Sequence, residues 1–207
     1  MSEITKLNYN DLDDSYFPEF ANVLLNECYL LVNKKSYRLV EIEFYLNCKA
    51  HKDVYTHGDP DQLLMHTFYF HKHKTGTYKS GTFKGLDLTF GSAHNKAYFG
   101  ILIRSIQLIS TGEIIEGPCN TVNRILQEYQ MASIMDFTNG ESLNILSNNR
   151  KFILKTSNKL AKKEIFAGPR IGLSNTYPTY QNKPYRFATD QDKLKKKKTS
   201  LISIKFY

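Results

Sequence analysis

A chain of 207 residues with 41% hydrophobic and 13% aromatic residues is long enough to bury a sizeable core in one domain, which excludes a disordered protein. The formal charge of +8 suits a polyanionic partner but equally many housekeeping enzymes, and the last eighteen residues, with six lysines against two aspartates, hold +4 of it. Three widely spaced cysteines form neither a disulfide framework nor a CxxC motif, and no apolar stretch approaches the ~18 residues of a membrane span, so a reducing intracellular setting, nucleus or cytoplasm, and no membrane contact are expected.

Residues 1–17 are polar and acidic and read as a flexible leader. The apolar spacing of residues 20–25 suits one helix face, and residues 29–32 and 37–45 read as strands joined by the turn-rich 33–36. Residues 47–62, with Gly58 and Pro60, read as loop. Further strands are expected at 68–70, 86–90 and 99–106, a helix from about 121 with Asn120 or Thr121 as N-cap, and a second helix over 131–137. Strands are expected again at 144–154 and 165–171, and the lysine-rich 189–207 reads as a solvated or disordered tail, or else a nucleic-acid or import patch. The fold class is therefore α+β: a single domain, residues 18–188, with a curved, mostly antiparallel sheet and flanking helices. Neither GxGxxG nor a P-loop is present, against a parallel nucleotide-binding fold.

The densest chemistry lies in Val40-Glu41-Ile42-Glu43-Phe44-Tyr45. Strand alternation puts Glu41, Glu43 and Tyr45 on one face and Val40, Ile42 and Phe44 on the other. If the glutamates are buried, desolvation and mutual repulsion favour a raised carboxyl pKa, which suits general acid/base work; if the face is solvated, they point at water. Arg104, inside an apolar run, reads as buried, with a glutamate on a neighbouring strand as its partner; alternation groups it with Leu102 and Ile106 on a core face. His71-Lys72-His73 offers two imidazoles on one strand face, but its lysines oppose a cation, so no metal is expected. Arg170 and Arg186, set among glycine, proline and aromatics, suit phosphate contacts.

In order along residues 20–188, these segments resemble the alkyladenine (3-methyladenine) DNA glycosylase family. The family's V-E-T-E-A-Y strand is similar to Val40-Glu41-Ile42-Glu43-Phe44-Tyr45, and its Asp-x3-His step to Asp53 through His57. Its L-L-R-[AS]-[LI] strand resembles Leu102-Ile103-Arg104-Ser105-Ile106, and G-P-S resembles Gly117-Pro118-Cys119. P-R-I-G-I and P-W-R-F resemble Pro169-Arg170-Ile171-Gly172-Leu173 and Pro184-Tyr185-Arg186-Phe187. The resemblance implies a monomeric base-excision enzyme, without cofactor, that hydrolyses the N-glycosidic bond of a damaged purine flipped out of duplex DNA. Glu43 would be the general base for water, and Arg104 would hold its carboxylate. Tyr45 and His57 would wall the base pocket, with Lys84, Arg170 and Arg186 contacting nucleic acid. The family's wedge tyrosine and pocket asparagine have no clear counterpart between residues 82 and 91. Phe83 or Tyr78 could serve as wedge, and Lys84 with Asp87 could form a polar contact instead. Two other classes compete: a nucleic-acid-binding relative without catalysis, and a protein-interaction role through the aromatic loop at 55–70.

Overall fold

The computed structural model describes residues 7–9, 11–146 and 151–205. Pro18 sits in the first turn of α1 (Phe17–Glu27), where its fixed φ and missing N–H do no harm. The helix buries Phe17, Phe20, Ala21, Val23, Leu24 and Leu25, then passes directly into β1 (Cys28–Val32). Asn33, in the left-handed region at φ 57°, turns the chain tightly into β2 (Lys35–Asn47). β2 is the spine: on one side it pairs with β5 (Tyr98–Leu108), on the other with β1 and then with β9 (Arg186–Ala188).

The remaining strands are β3 (Met65–Phe70), β4 (Leu86–Phe90), β6 (Ile114–Glu116), β7 (Phe152–Thr156), β8 (Ile165–Gly168) and β10 (Ile202–Ile204). They join one ten-stranded sheet, order β10-β8-β9-β2-β5-β4-β3, with β1 and β7 continuing from β2 and β6 from β5. Every pairing among the described residues is antiparallel, so the fold is a single α+β domain. The helices are α1, α2 (Pro118–Glu128), α3 (Ile134–Gly140) and the single turn α4 (Pro178–Gln181).

One face of β2 and β5 is hydrocarbon. Ile42, Phe44, Leu46, Phe99, Ile101 and Ile103 pack under α1, with the Phe44 ring stacked 4.5 Å from Phe17 and edge-on to Phe187 at 5.3 Å. Each such ring contributes roughly 1.5–3 kcal/mol through burial. The opposite face carries the charges. A register shift across Leu39, Val40 and Glu41 breaks strict alternation, so Val40 leaves the main core and packs with Ala188, Leu194 and Leu201 on the charged side. Leu102 likewise lies outside the main core, so the face shared by Arg104 and Leu102 is the site face rather than the core expected from alternation.

Both chain ends are more integrated than their composition suggests. Within the leader, Leu12 is fully buried, and the Tyr9 hydroxyl donates to the Phe90 carbonyl at 2.7 Å. Tyr185 donates its hydroxyl to Asp14 at 2.8 Å, so the described part of the leader belongs to the domain. The lysine-rich segment is a folded strap: Leu194 and Leu201 are buried, and Glu116 accepts hydrogen bonds from the backbone N–H groups of Lys195 and Lys196. β10 then closes the sheet edge on β8. The lysine side chains from Lys195 to Lys198 remain exposed.

Several boundaries move for local reasons. α2 begins at Pro118 with Gly117 as N-cap at φ 104°; Asn120 donates its side-chain amide to the Glu116 carbonyl instead of capping. α3 starts at Ile134 because the Ser133 hydroxyl accepts from the Asp136 N–H. Of the strand expected at 144–154, residues 147–150 lie outside the described residues and pairing in β7 starts at Phe152. β8 stops at Gly168, where the chain turns at Pro169 and the Ser200 carbonyl approaches so closely that a Cβ would lie 2.2 Å from it.

Candidate functional site

Glu41 and Glu43 are 1% and 0% exposed, so the face is not solvated. What makes this tolerable is Arg104, itself buried, whose Nε lies 3.3 Å from Glu41 and whose Nη1 lies 3.3 Å from Glu43. Burial opposes the Arg104 charge, but Glu43 and Glu41 outweigh it and hold the guanidinium above its ordinary pKa. Glu43 Oε1 also accepts the Ile171 N–H at 2.8 Å, and Oε2 accepts the Tyr45 hydroxyl at 2.8 Å. Burial, reinforced by the Glu43 charge, pushes the Tyr45 phenol well above its usual pKa, so Tyr45 is a neutral donor.

Glu41 faces the other way along the strand. It accepts from Arg186 Nε at 2.5 Å and from the Ser105 hydroxyl at 2.7 Å. Arg186 is fully buried, and its two Nη groups donate to the Lys197 and Lys196 carbonyls at 3.1 and 3.0 Å. Its expected phosphate contact is therefore excluded: the side chain ties the strap to β2. Arg170 is corrected in the same way. Its Nη1 and Nη2 both meet the buried carboxylate of Asp53, Nη1 also donates to the Phe44 carbonyl at 2.9 Å, and the guanidinium lies 4.4 Å over the Tyr45 ring. What the 169–173 segment gives the site is the backbone N–H of Ile171 and the side chain of Leu173.

On the far side of Tyr45 from Glu43 opens a cleft of ≈ 110 Å³, the space of roughly four waters. Its walls are Tyr45, Tyr55, His57, Leu102 and Leu173, with Gln62, His71 and Asp87 at its polar end. Asp53 positions two of these: its carboxylate accepts the Tyr55 N–H at 3.1 Å, and its own N–H donates to the Leu46 carbonyl, anchoring the loop that carries Tyr55 and His57. His57 is exposed on its outer edge, sits edge-on to His71 with ring centroids 4.4 Å apart, and has Lys79 Nζ 3.2 Å from Nε2. Burial of its inner side, aided by His71, pushes its pKa down to about 4, so it is a neutral ring at pH 7. Larger hollows, such as one between Asn26 and Lys162, gather no comparable set of buried polar groups.

Sequence reasoning thus named Glu43, Tyr45, His57 and Arg104, and the fold brings these four together. It did not place Tyr55, Gln62, His71 or Leu173 in the cleft. Asp87 had been paired with Lys84; instead its Oδ1 meets His71 Nε2 at 2.6 Å and its Oδ2 accepts from Gln62 at 3.1 Å. The signal that could have found it is the one that found Glu43, an acid between large apolar residues in a strand. His71 and His73 do not form a strand pair, because β3 ends at Phe70; among the described residues no group of three or more ligand-type side chains could hold a metal.

Of the wedge candidates, Phe83 is 75% exposed at the end of the 81–83 turn, which Cys119 tethers to α2 by donating its thiol to the Gly81 carbonyl. Tyr78 is half-buried, bridged by backbone to Lys72 and packed on the core, so it is not free to insert into a duplex. Lys84 is half-exposed beside Phe83.

No family model matches the chain. The "Uncharacterized protein L759" of Acanthamoeba polyphaga mimivirus is 51% identical over 209 residues, an alignment spanning 96% of this chain and 97% of the viral protein. The chain belongs to the family of that protein. Among the described residues no helix is long and apolar enough to cross a membrane.

Proposed function

We propose that this protein is an N-glycosidic-bond hydrolase of the DNA glycosylase type, acting on a damaged purine turned out of a duplex into the cleft. The observation that carries the reading is a fully buried carboxylate behind the Tyr45 wall of the cleft: Glu43, held by an arginine, a backbone N–H and the Tyr45 hydroxyl. Cleavage of a glycosidic bond builds positive charge on the sugar, and a fixed anion in a dry site stabilises it more than water would. Aromatic walls suit a flat base, since every base offers a π face and stacking contributes ~1–3 kcal/mol. Phe83 is the exposed ring available to fill the gap left in the duplex.

Glu43 has no open path to solvent, and Tyr45 stands between its Oε2 and the cleft. The attacking water therefore passes its proton to Tyr45 Oη while Tyr45 passes its own to Glu43, or the tyrosyl hydroxyl swings aside first. That closure also favours a second reading, a nucleobase-binding relative that no longer cleaves. The two separate in one experiment: release of free base from duplex DNA treated with a methylating agent, compared between the wild-type chain and Glu43→Gln. Release lost in the variant supports the hydrolase. Salt-dependent DNA affinity without release in either protein supports the binding relative.

A further inference from the structure

The polar end of the cleft is a constructed carboxylate site. Asp87 is 1% exposed in β4, between Leu86 and Leu88, yet it lines the cleft. Its orientation is over-determined: His71 Nε2 holds Oδ1 and Gln62 Nε2 holds Oδ2. Gln62 is in turn 1% exposed, with its side-chain oxygen accepting the Gly58 N–H at 2.9 Å. Two glycines leave the room. A Cβ on Gly100 would lie 2.5 Å from Asp87 Oδ2 and 2.7 Å from Gln62 Nε2, and a Cβ on Gly85 would lie 2.5 Å from His71 Nδ1. Neither glycine has a positive φ, so space rather than backbone conformation accounts for both.

We infer that Asp87 is the specificity-determining group of the cleft, and that it selects a heterocyclic base presenting an exocyclic amino group over one presenting a carbonyl or a bare C–H there. The inference rests on the nucleobase reading and names its substrate class. A carboxylate has only acceptors, about four lone-pair sites on two oxygens, so His71 and Gln62 leave capacity for a further donor. A carbonyl brought to the same place would face lone pairs on both sides in a desolvated site and would lose its hydrogen bond to water without replacement. The neutral His57 ring beside it adds no charge that would invert this preference. Hydrogen bonds to a charged group of this kind correspond to roughly tenfold to a hundredfold in affinity.

The test uses free bases, so it does not depend on cleavage. Ligand-observed NMR titrations of the full chain would compare adenine, 2-aminopurine and guanine with unsubstituted purine and hypoxanthine. The inference expects at least one amino purine to bind tenfold or more tightly than purine and hypoxanthine. It expects Asp87→Asn to remove that preference. Gly100→Ala, which retains the carboxylate but forces it to move, is expected to remove the preference too, with circular dichroism reporting an intact fold. Equal binding of amino and non-amino purines by the wild type, or a preference that survives Asp87→Asn, overturns the inference while leaving the hydrolase reading standing. Base release that fails while the amino preference holds overturns only the hydrolase reading.

Discussion

Glu41 and Glu43 lie two residues apart on one strand and share one arginine, yet they serve different parts of the molecule. Around Glu41 everything is closed: Arg186, Ser105 and Arg104 surround it, and the strap covers it with Leu194 and Leu201. Around Glu43 the partners are as many, but one of them, Tyr45, is also the wall of a cleft. Burial and pairing alone therefore do not set the two acids apart; the empty space beyond Tyr45 does. The same contrast sorts the arginines. Arg170 and Arg186 fix loops to the sheet, while Arg104 bridges the closed end and the open one.

The sharpest way to break this division is at its closed end. Arg186→Ala strips Glu41 of its nearest cation and frees the strap carbonyls, and it should cost about 3–5 kcal/mol in urea unfolding, because a buried charge is left uncompensated. A loss under about 1 kcal/mol would mean that the strap does not depend on this pair. At the open end, Tyr45→Phe removes a donor to a charged acceptor. It should slow base release roughly 10- to 100-fold, an effect of about 1.5–3 kcal/mol, with the secondary structure retained. Release at the wild-type rate would show that Glu43 works without the hydroxyl.

Smaller effects sharpen the comparison further. Ser105→Ala takes one hydrogen bond from Glu41 and should lower stability by about 1–3 kcal/mol while leaving purine binding in place. A change in base affinity would show that the two ends are coupled through Arg104. The smallest effect concerns His57, whose pKa is pushed from 6.5 down to about 4 in the folded chain. Above pH 6.5 the ring is neutral folded or unfolded. As pH falls from 6.5 towards 4, the unfolded chain takes up a proton that the folded chain refuses, so stability declines across that window. His57→Gln should flatten that part of the stability profile, and a ring titrating near 6.5 by NMR would contradict the assignment.

Much of this was legible in the residues. Alternation and β-branching mark β2, β4 and β5, and the buried Arg104 called for the acid partners it has. The bulge at Val40 was not legible, because β2 carries an extra residue there that shows only in its register against β5. Nor was the strap: Leu194 and Leu201 are isolated apolar residues among lysines, and their burial depends on Val40, Ala188, Glu116 and Arg186, all from other segments. Asp87 carried a readable signal, but its partners His71 and Gln62 come from separate segments that only the fold brings together.

The proposed hydrolase puts its chemistry at Glu43 and leaves Glu41 an architectural role. Single-turnover release of methylated purine from duplex DNA, measured for Glu43→Gln and Glu41→Gln beside their unfolding curves, tests that division most directly. The account predicts that Glu43→Gln loses about 10²- to 10⁴-fold in rate per folded molecule, over and above the lower unfolding midpoint that follows from losing its buried pair with Arg104. It predicts that Glu41→Gln unfolds at clearly lower urea yet releases base within about tenfold of the wild-type rate per folded molecule. Equal rates for wild type and Glu43→Gln, or a rate loss confined to Glu41→Gln, would contradict it.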